Sequence, residues 1–182
     1  SNTTFDGYLR PDGSVGVRNI VAVIPSCGCA QHVARMIAAA VPGAAVVDYS
    51  GGCGETAADL NVATQLLAQM GRHPNVIASL VVSLGCEGLD ARDLSARIAE
   101  GWAPTELLVI QEMGGTRKTI ARGVEIVRGF VESAADHQRT SCPASSLTVG
   151  LECGGSDATS GLAANPSLGV MADLLVAEGG RA

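Results

Sequence analysis

Five short aliphatic runs divide the chain, and none of them alternates cleanly between apolar and polar residues. The runs cover residues 20–24, 45–49, 77–83, 106–110 and 147–151. Strands buried on both faces of a parallel sheet have this continuous apolar character, whereas half-exposed strands alternate. We therefore predict a β-strand from each run.

Segments with helical periodicity follow each predicted strand. Their apolar residues recur at steps of three and four, which places them on one face of a helix. These segments are residues 30–41, 63–70, 94–98, 120–131 and 168–175. The alternation of strand and helix predicts an α/β fold with a Rossmann-like, open, mainly parallel five-stranded sheet and helices on both faces.

The length and composition fit one domain with an aliphatic core. The chain has 182 residues, of which 47% are hydrophobic and only 3% aromatic. We assign residues 1–19 to an N-terminal lead-in segment, in which Ser1-Asn2 is typical of a tag remnant, and residues 20–182 to a single α/β domain. The last predicted helix ends where a βα series would add a strand, so we expect the parent protein to continue.

Charge and targeting signals limit the classes of binding partner and the cellular location that we expect. A net charge of −6 argues against nucleic acid or an anionic membrane surface as the main partner, but not against a small anionic substrate. The longest apolar runs are too short for a transmembrane helix, and the start lacks a signal-peptide pattern. We therefore predict a cytoplasmic protein whose six cysteines are reduced.

Most of the cysteines lie directly after predicted strands. These positions are Cys27, Cys29, Cys53, Cys86 and Cys153. Because ligands bind at the carboxyl edge of an open α/β sheet, we expect these thiols to converge on one rim. Thiolates bind iron, zinc or iron–sulfur clusters, while the alternative is that the cysteines pack as small hydrophobes. Cys142 precedes the fifth predicted strand, and we interpret it as structural.

Two glycine-containing loops favour an anionic substrate, such as a carboxylate. The first, after the fourth strand, contains Gly115, Thr116, Arg117 and Lys118 and opens a helix whose N–H groups and dipole attract anions. The alternative is a Thr116 N-cap beside surface basic residues.

The second loop contains Ser156 and Asp157, which either face a substrate or cap a turn. Of the three histidines, only His32 is predicted near the rim, and it is a candidate catalytic residue together with Lys118. The chain lacks a G-x-G-x-x-G loop after its first strand and a G-x-S-x-G elbow, which argues against a dinucleotide site and a hydrolase triad.

Five motifs in this chain resemble those of one known family. They are GYLRPDGSVGVRN, GGCGE, LGCE, GGTRKT and CGGSDATSGLAANPSLG, and they extend over nearly the whole chain. Together they resemble the altronate/galactarate dehydratase family, which includes the large subunit of sulfolactate sulfo-lyase. The resemblance implies a hydro-lyase that converts a sugar acid into a 2-keto-3-deoxy acid. A proton α to the carboxylate and a β-hydroxyl group are eliminated with the help of ferrous iron, an acid and a base.

The resemblance also assigns site residues. Cys29, Cys53, Cys86 and Cys153 fall on cysteine positions of the family, and whether they bind iron, hold an iron–sulfur cluster or only pack stays open. Substrate or interdomain contacts are implied at Arg10, Asp12, Arg18 and Asn19, with a merely exposed loop residue as the alternative for Asp12. Asn165 is a further substrate-binding candidate. Val17 departs from the family pattern, because several members have threonine there.

Members of the family continue into a C-terminal domain that this chain lacks, so the resemblance implies that the chain holds part of a site and is inactive alone. Two other functions stay open: a sulfolactate-type carbon–sulfur lyase, and a catalytically silent anion-binding or assembly domain. A homo-oligomer is also compatible with the aliphatic, low-charge composition.

Overall fold

A computed structural model describes residues 3–152 and 154–182, so Ser1, Asn2 and Cys153 lie outside the described residues. The strands are β1 (Thr4–Leu9), β2 (Val15–Gly16), β3 (Ile20–Pro25), β4 (Ala44–Val46), β5 (Val76–Ser83), β6 (Thr105–Val109) and β7 (Thr140–Pro143). The α-helices are α1 (Gly28–Ala39), α2 (Ala57–Gly71), α3 (Ala91–Ala99), α4 (Thr116–Ala134) and α5 (Asn165–Ala177). A short 3₁₀ helix covers Ala144–Ser146, and a π-helical turn, Ser160–Ala164, leads into α5.

The main sheet is parallel and has the strand order β4-β3-β5-β6. All eight residues of β5 are buried, which explains why its sequence is a continuous apolar run. Within the sheet, Val21 pairs with both Ala44 and Ala78, and Ser79 pairs with Thr105. The first four predicted strands are therefore confirmed, as is the open, Rossmann-like arrangement.

Helices cover both faces of the sheet, as predicted. The core on one face joins β3 and β5 to α1 and α4, and the core on the other face joins them to α2 and α3. Gly123 lets α4 approach α1 closely, because a Cβ at this position would lie 2.4 Å from Cδ1 of Ile37. The two apolar cores fix the sheet and hence the positions of the loops at its edges.

The prediction of a fifth parallel strand at residues 147–151 is wrong. In this segment Thr148 forms only an isolated bridge with Arg181, and Leu151 is 44% exposed. A separate antiparallel sheet with the order β2-β1-β7 uses residues 140–143 instead. A five-residue apolar run indicates extended backbone but does not identify its pairing partner, which here is the C-terminal segment.

The predicted lead-in segment contains β1 and β2 in its described part, and β1 is the central strand of this second sheet. Its Phe5 pairs with Cys142 of β7, so the N-terminal residues and residues 140–143 are joined by backbone hydrogen bonds. This small sheet lies outside the parallel sheet and does not extend it.

The helix Ser160–Ala177 has a largely exposed apolar surface. It is long and apolar enough to cross a membrane by length and composition alone, although one such helix is weak evidence for a membrane span. Only 6% of this stretch is buried, and Leu162 is 83% and Leu174 65% exposed. The sequence predicts no span because no uninterrupted apolar run is long enough.

Candidate functional site

The loops that follow β3, β4 and β5 touch one another at the carboxyl edge of the sheet. The Gly28 N–H donates to the Gly51 carbonyl at 2.9 Å, which joins the first two loops. The Gly88 N–H donates to the Gly52 carbonyl at 2.9 Å, which joins the second and third. We refer to residues 26–29, 50–55, 84–89 and 110–118 as the rim. The predicted convergence of these loops is confirmed for the first three.

The rim includes the point at which the strand order reverses. From β3 the chain enters α1 on one face, and from β5 it enters α3 on the other. In open α/β sheets ligands bind at such a reversal. Gly52 closes this region tightly. Its φ is +91°, and a Cβ there would lie 2.4 Å from the carbonyl oxygen of Ser26. Only glycine therefore fits at this position without displacing backbone.

A half-buried carboxylate lies at this point of the rim. Glu87 accepts hydrogen bonds from two hydroxyl groups and three backbone N–H groups. The donors are Ser26 Oγ, Ser83 Oγ (2.5 Å), and the N–H groups of Leu84 (3.2 Å), Gly85 (2.7 Å) and Cys86 (3.0 Å). Glu87 thus connects the end of β3 with the end of β5 and fixes the loop that carries Cys86.

This environment keeps Glu87 ionised. Burial raises the pKa of its carboxyl group, but the hydrogen bonds from Ser26, Ser83 and the backbone outweigh burial and lower the pKa to about 2. Because both carboxylate oxygens are occupied by donors, Glu87 positions the loop and is not suited to transfer protons. Glu87 is not among the residues predicted from the sequence. A usable signal is present, because Ser26 and Ser83 lie at or just beyond the ends of apolar strands and Ser83 shortly precedes Glu87.

Three thiols are exposed on the rim. Cys29, Cys53 and Cys86 are free and exposed, one on each of the first three loops. Cys27 is buried at the N-cap of α1, and burial raises the pKa of its thiol. The structure thus distinguishes Cys29 from Cys27 as the resemblance does. Cys142 is buried in β7, which agrees with its structural interpretation.

The described residues do not form a complete metal site on their own. Among residues 3–152 and 154–182, no group of three or more histidine, cysteine, aspartate or glutamate side chains is arranged to hold a metal ion. Cys153, the fourth cysteine of the predicted set, is outside the described residues. Iron binding by these cysteines therefore stays a prediction.

The N-terminus of α4 borders the rim after β6. The N-cap is Gly115, with φ of 108° and no side-chain hydrogen bond to the helix, and Thr116 is the first helical residue. The alternative of a Thr116 N-cap is therefore wrong. Thr116, Arg117 and Lys118 are exposed, and a Cβ on Gly114 would lie 3.4 Å from Nζ of Lys118. The first-turn N–H groups and two cations together favour an anion here.

A cleft of about 350 Å³ lies between the loops after β5 and β6. Glu87 contributes to its wall, and Arg92 and Glu112 form an ion pair of 2.7 Å beside it. His32 is exposed on α1, one turn beyond Cys29. The rim therefore combines exposed thiols with the basic first turn of α4, and the exposed imidazole of His32 lies next to it on α1.

Arg10, Arg18 and Asn19 lie at the opposite, amino-terminal edge of the sheet. Arg10 is only 3% exposed, and its Nε donates to the carbonyl of Pro74, which precedes β5, at 2.8 Å. Its Nη2 donates to the Arg18 carbonyl at 2.9 Å and to Asn19 Oδ1 at 2.7 Å. The structure thus joins these three candidates to one another but not to the rim.

The second predicted anion loop has local contacts. Asp157 Oδ1 accepts hydrogen bonds from Thr159 Oγ1 at 2.6 Å and from the Ser160 N–H at 2.9 Å, and the Thr159 contact leads in lowering the pKa of this exposed carboxyl. Ser156 is exposed, and Asn165 is the first residue of α5. These contacts fit the turn-capping alternative for Asp157.

The segment before this loop lies at the amino-terminal edge, because residues 147, 148 and 150 line a cavity of about 660 Å³ with His73 and Asn75. The absence of a fifth strand removes the physical reason for placing residues 154–157 on the rim.

Two family models match consecutive parts of the chain. The second domain of D-galactarate dehydratase/altronate hydrolase matches residues 7–135, and the C-terminal domain of D-galactarate/altronate dehydratase matches residues 144–182. The chain belongs to the D-galactarate dehydratase/altronate hydrolase family. The resemblance seen in the sequence motifs is therefore confirmed.

Relatives within the dehydratase family are considerably longer than this chain. Altronate dehydratase of Bacillus subtilis is 33% identical over 98% of the chain and 38% of its own length. The (2R)-sulfolactate sulfo-lyase subunit beta of Chromohalobacter salexigens is 35% identical over 97% of the chain and 44% of its own length. Galactarate dehydratase (L-threo-forming) of Escherichia coli is 31% identical over 95% of the chain and 37% of its own length. The chain spans less than half of each.

Proposed function

We propose that this chain forms part of a lyase that dehydrates a sugar acid of the altronate or galactarate type. In this reaction the C–H bond α to the carboxylate and the β C–O bond break, water leaves, and the resulting enol becomes a 2-keto-3-deoxy acid. The observation that carries the proposal is the rim at the strand-order reversal, with exposed thiols beside the basic N-terminus of α4. Membership in a family with named dehydratases supports it.

In this proposal the first turn of α4 binds the substrate carboxylate. The Gly115 N-cap leaves first-turn N–H groups without a side-chain partner, and Arg117 and Lys118 add positive charge. Anchoring the carboxylate here positions the α-carbon near the rim. Lys118 and His32 are the candidates for moving the α-proton, because each is exposed on the first two turns of its helix at the rim.

We also propose that ferrous iron, or an iron–sulfur cluster as the alternative, binds at this edge. Cys29, Cys53 and Cys86 supply soft ligands on neighbouring loops. Cys153 is proposed as the fourth ligand on the family resemblance alone, because the segment before it lies at the amino-terminal edge. A bound cation would stabilise negative charge that develops on the substrate oxygens. The proton-transfer roles stay with His32 and Lys118 and are not assigned to the proposed metal.

A carbon–sulfur lyase is the second candidate function. The named sulfo-lyase subunit is 35% identical to this chain, slightly more than the named dehydratases reported above. The same α-proton would be removed, with sulfite leaving from the β-carbon in place of hydroxide. The third candidate, an anion-binding or assembly domain without catalysis, predicts no turnover of either substrate.

The exposed surface of α5 supports a longer protein as the active unit. The relatives are more than twice the length of the chain, and α5 belongs to the part that matches the C-terminal family model. We propose that further residues of the same protein cover α5 and complete the site. Self-association through α5 is the alternative, and a molar mass of the full-length protein from light scattering distinguishes the two.

Activity of the full-length protein that contains this chain tests the proposal. With ferrous iron supplied anaerobically, we expect a 2-keto-3-deoxy acid from an aldonate or aldarate. Cys86→Ser should lower turnover strongly, whereas Cys142→Ser, a buried cysteine away from the rim, should leave the kinetic constants nearly unchanged. Release of sulfite from sulfolactate would support the second candidate instead, and inactivity on the whole panel would contradict both.

A further inference from the structure

A cavity at the amino-terminal edge of the sheet lies on the far side from the rim. Its volume is about 370 Å³, within the range of small-molecule sites. It lies between the start of β5, the end of α4 and the segment that follows β1. Most of its wall is apolar, with Leu9, Ile77, Trp102, Phe130 and Ala134 contributing.

Within residues 3–152 and 154–182, the arginine in this wall has no carboxylate in direct contact, and Asp12 acts on it electrostatically only from beyond ion-pair distance. Arg10 is 3% exposed, and no ion pair joins it to a carboxylate among the residues that the structure describes. Its Nε and Nη2 donate to protein oxygens, whereas its Nη1 has no hydrogen-bond partner within the described ranges. A buried cation normally has a counter-charge, so an anion is expected to bind favourably beside it.

A second donor at the same cavity also lacks a partner. The indole Nε1–H of Trp102 is buried and donates to no acceptor in the part of the chain that is described. The centre of the Trp102 ring lies 4.6 Å from the Arg10 guanidinium carbon, so the two side chains stack at the same cavity. Buried N–H groups almost always have an acceptor, and its absence here points to a ligand that supplies one.

We propose that this cavity binds a small monocarboxylate with an apolar body. Its carboxylate would accept from Arg10 Nη1 and Trp102 Nε1, and its hydrocarbon part would pack on Ile77, Phe130 and Ala134. No acidic side chain lines the cavity among the described residues. A polyhydroxylated sugar acid would find few hydrogen-bond partners on the apolar wall, so the ligand belongs to a different class from the proposed substrate.

Fluorescence of Trp102 provides a direct assay, since it is the single tryptophan of the chain. We would titrate the 182-residue chain with hexanoate, with the uncharged hexanamide and with galactarate. We expect saturable emission changes with hexanoate, at least about tenfold weaker binding of hexanamide, which is a loss of about 1.4 kcal/mol or more, and no saturation with galactarate.

Variants separate the cavity from nonspecific effects. Arg10→Gln removes the charge, and Ala134→Leu places three more carbons in the cavity while Arg10 itself stays in place; both should abolish hexanoate binding. Arg122→Gln is the matched control, because Arg122 forms an exposed ion pair with Glu125 outside this cavity, and its Kd should stay within about twofold.

Circular dichroism establishes whether each variant is folded. If Arg10→Gln does not fold, loss of hexanoate binding in Ala134→Leu is the deciding test. Equal affinity for hexanoate and hexanamide, no saturable response to hexanoate, or unchanged hexanoate binding in Ala134→Leu would each overturn the proposal.

Discussion

Replacing Glu87 by glutamine tests the structural basis of the rim. Glutamine keeps the size of the side chain but removes the charge shared by two hydroxyl and three backbone donors. If the amide oxygen of the glutamine accepts from the N–H groups of Gly85 and Cys86, the amide NH₂ group faces the N–H of Leu84. The Leu84 N–H then lacks an acceptor. An unsatisfied buried N–H costs about 1–3 kcal/mol.

The pKa of Glu87 gives a second, independent value for the stabilisation that the Glu87 carboxylate contributes. A carboxyl group with a pKa of about 2 in the folded chain, against an ordinary 4.5, contributes up to about 3 kcal/mol at neutral pH. Since Glu87 is only partly buried, solvent screening reduces this figure. We therefore expect Glu87→Gln to lower the free energy of unfolding by about 2 kcal/mol.

The pH dependence of this loss has a definite sign. The folded-state pKa lies below the ordinary value, so the unfolded chain binds the proton more readily and the Glu87 contribution is complete above about pH 4.5. It is lost as the pH falls from about 4.5 toward about 2. The difference in stability between the wild-type chain and Glu87→Gln should therefore shrink over this range.

Urea unfolding followed by circular dichroism measures this difference at several pH values. Glu112→Gln is the matched control, because Glu112 is 62% exposed and its ion pair with Arg92 should contribute less than about 1 kcal/mol. A Glu87→Gln variant no less stable than Glu112→Gln at neutral pH would refute the anchoring role. So would a stability difference that stays constant from neutral pH to about pH 3.

Two further predictions concern the same loops. Gly52→Ala should lower the free energy of unfolding by more than about 2 kcal/mol, because its Cβ would lie 2.4 Å from a backbone oxygen. Gly54→Ala should lower it by only about 1 kcal/mol, because Gly54 has φ of +74° but nothing within 4 Å of the added Cβ. Similar urea midpoints for the two variants would contradict the tight packing of the rim. Iodoacetamide should modify Cys29, Cys53 and Cys86 in the folded chain and reach Cys27 and Cys142 only after unfolding, as peptide mass spectrometry can establish; rapid native labelling of Cys27 would contradict its burial.

The sequence allowed the parallel sheet and most of the rim to be predicted. The β5 segment is apolar throughout because both of its faces are covered, and that pattern is visible without a structure. Once the strands are parallel, their carboxyl ends share an edge, and the places of Cys29, Cys53 and Cys86 follow. Neither step requires knowledge of which strands are neighbours.

Residues whose roles depend on distant partners could not be predicted. Arg10 resembles a substrate-binding arginine in the sequence, yet its Nε bonds to Pro74, 64 positions away. Residues 147–151 have the composition of a strand, but their backbone partner is Arg181. In the sequence Glu87 is one acidic residue in a loop, and only the structure shows that the hydroxyl groups of Ser26 and Ser83 donate to it. Periodicity describes local exposure and does not specify such pairs.

Hydrogen–deuterium exchange on the full-length protein tests most directly whether the carboxyl edge is the ligand-facing edge. The measurement compares the protein with ferrous iron alone and with ferrous iron plus galactarate or altronate, under anaerobic conditions. We expect slower exchange of the backbone amide hydrogens of residues 26–29, 50–55, 84–89 and 114–118 when the sugar acid is present. Protection confined to the amino-terminal edge, at residues 10–19 and 73–75, with no change in the rim, would contradict it.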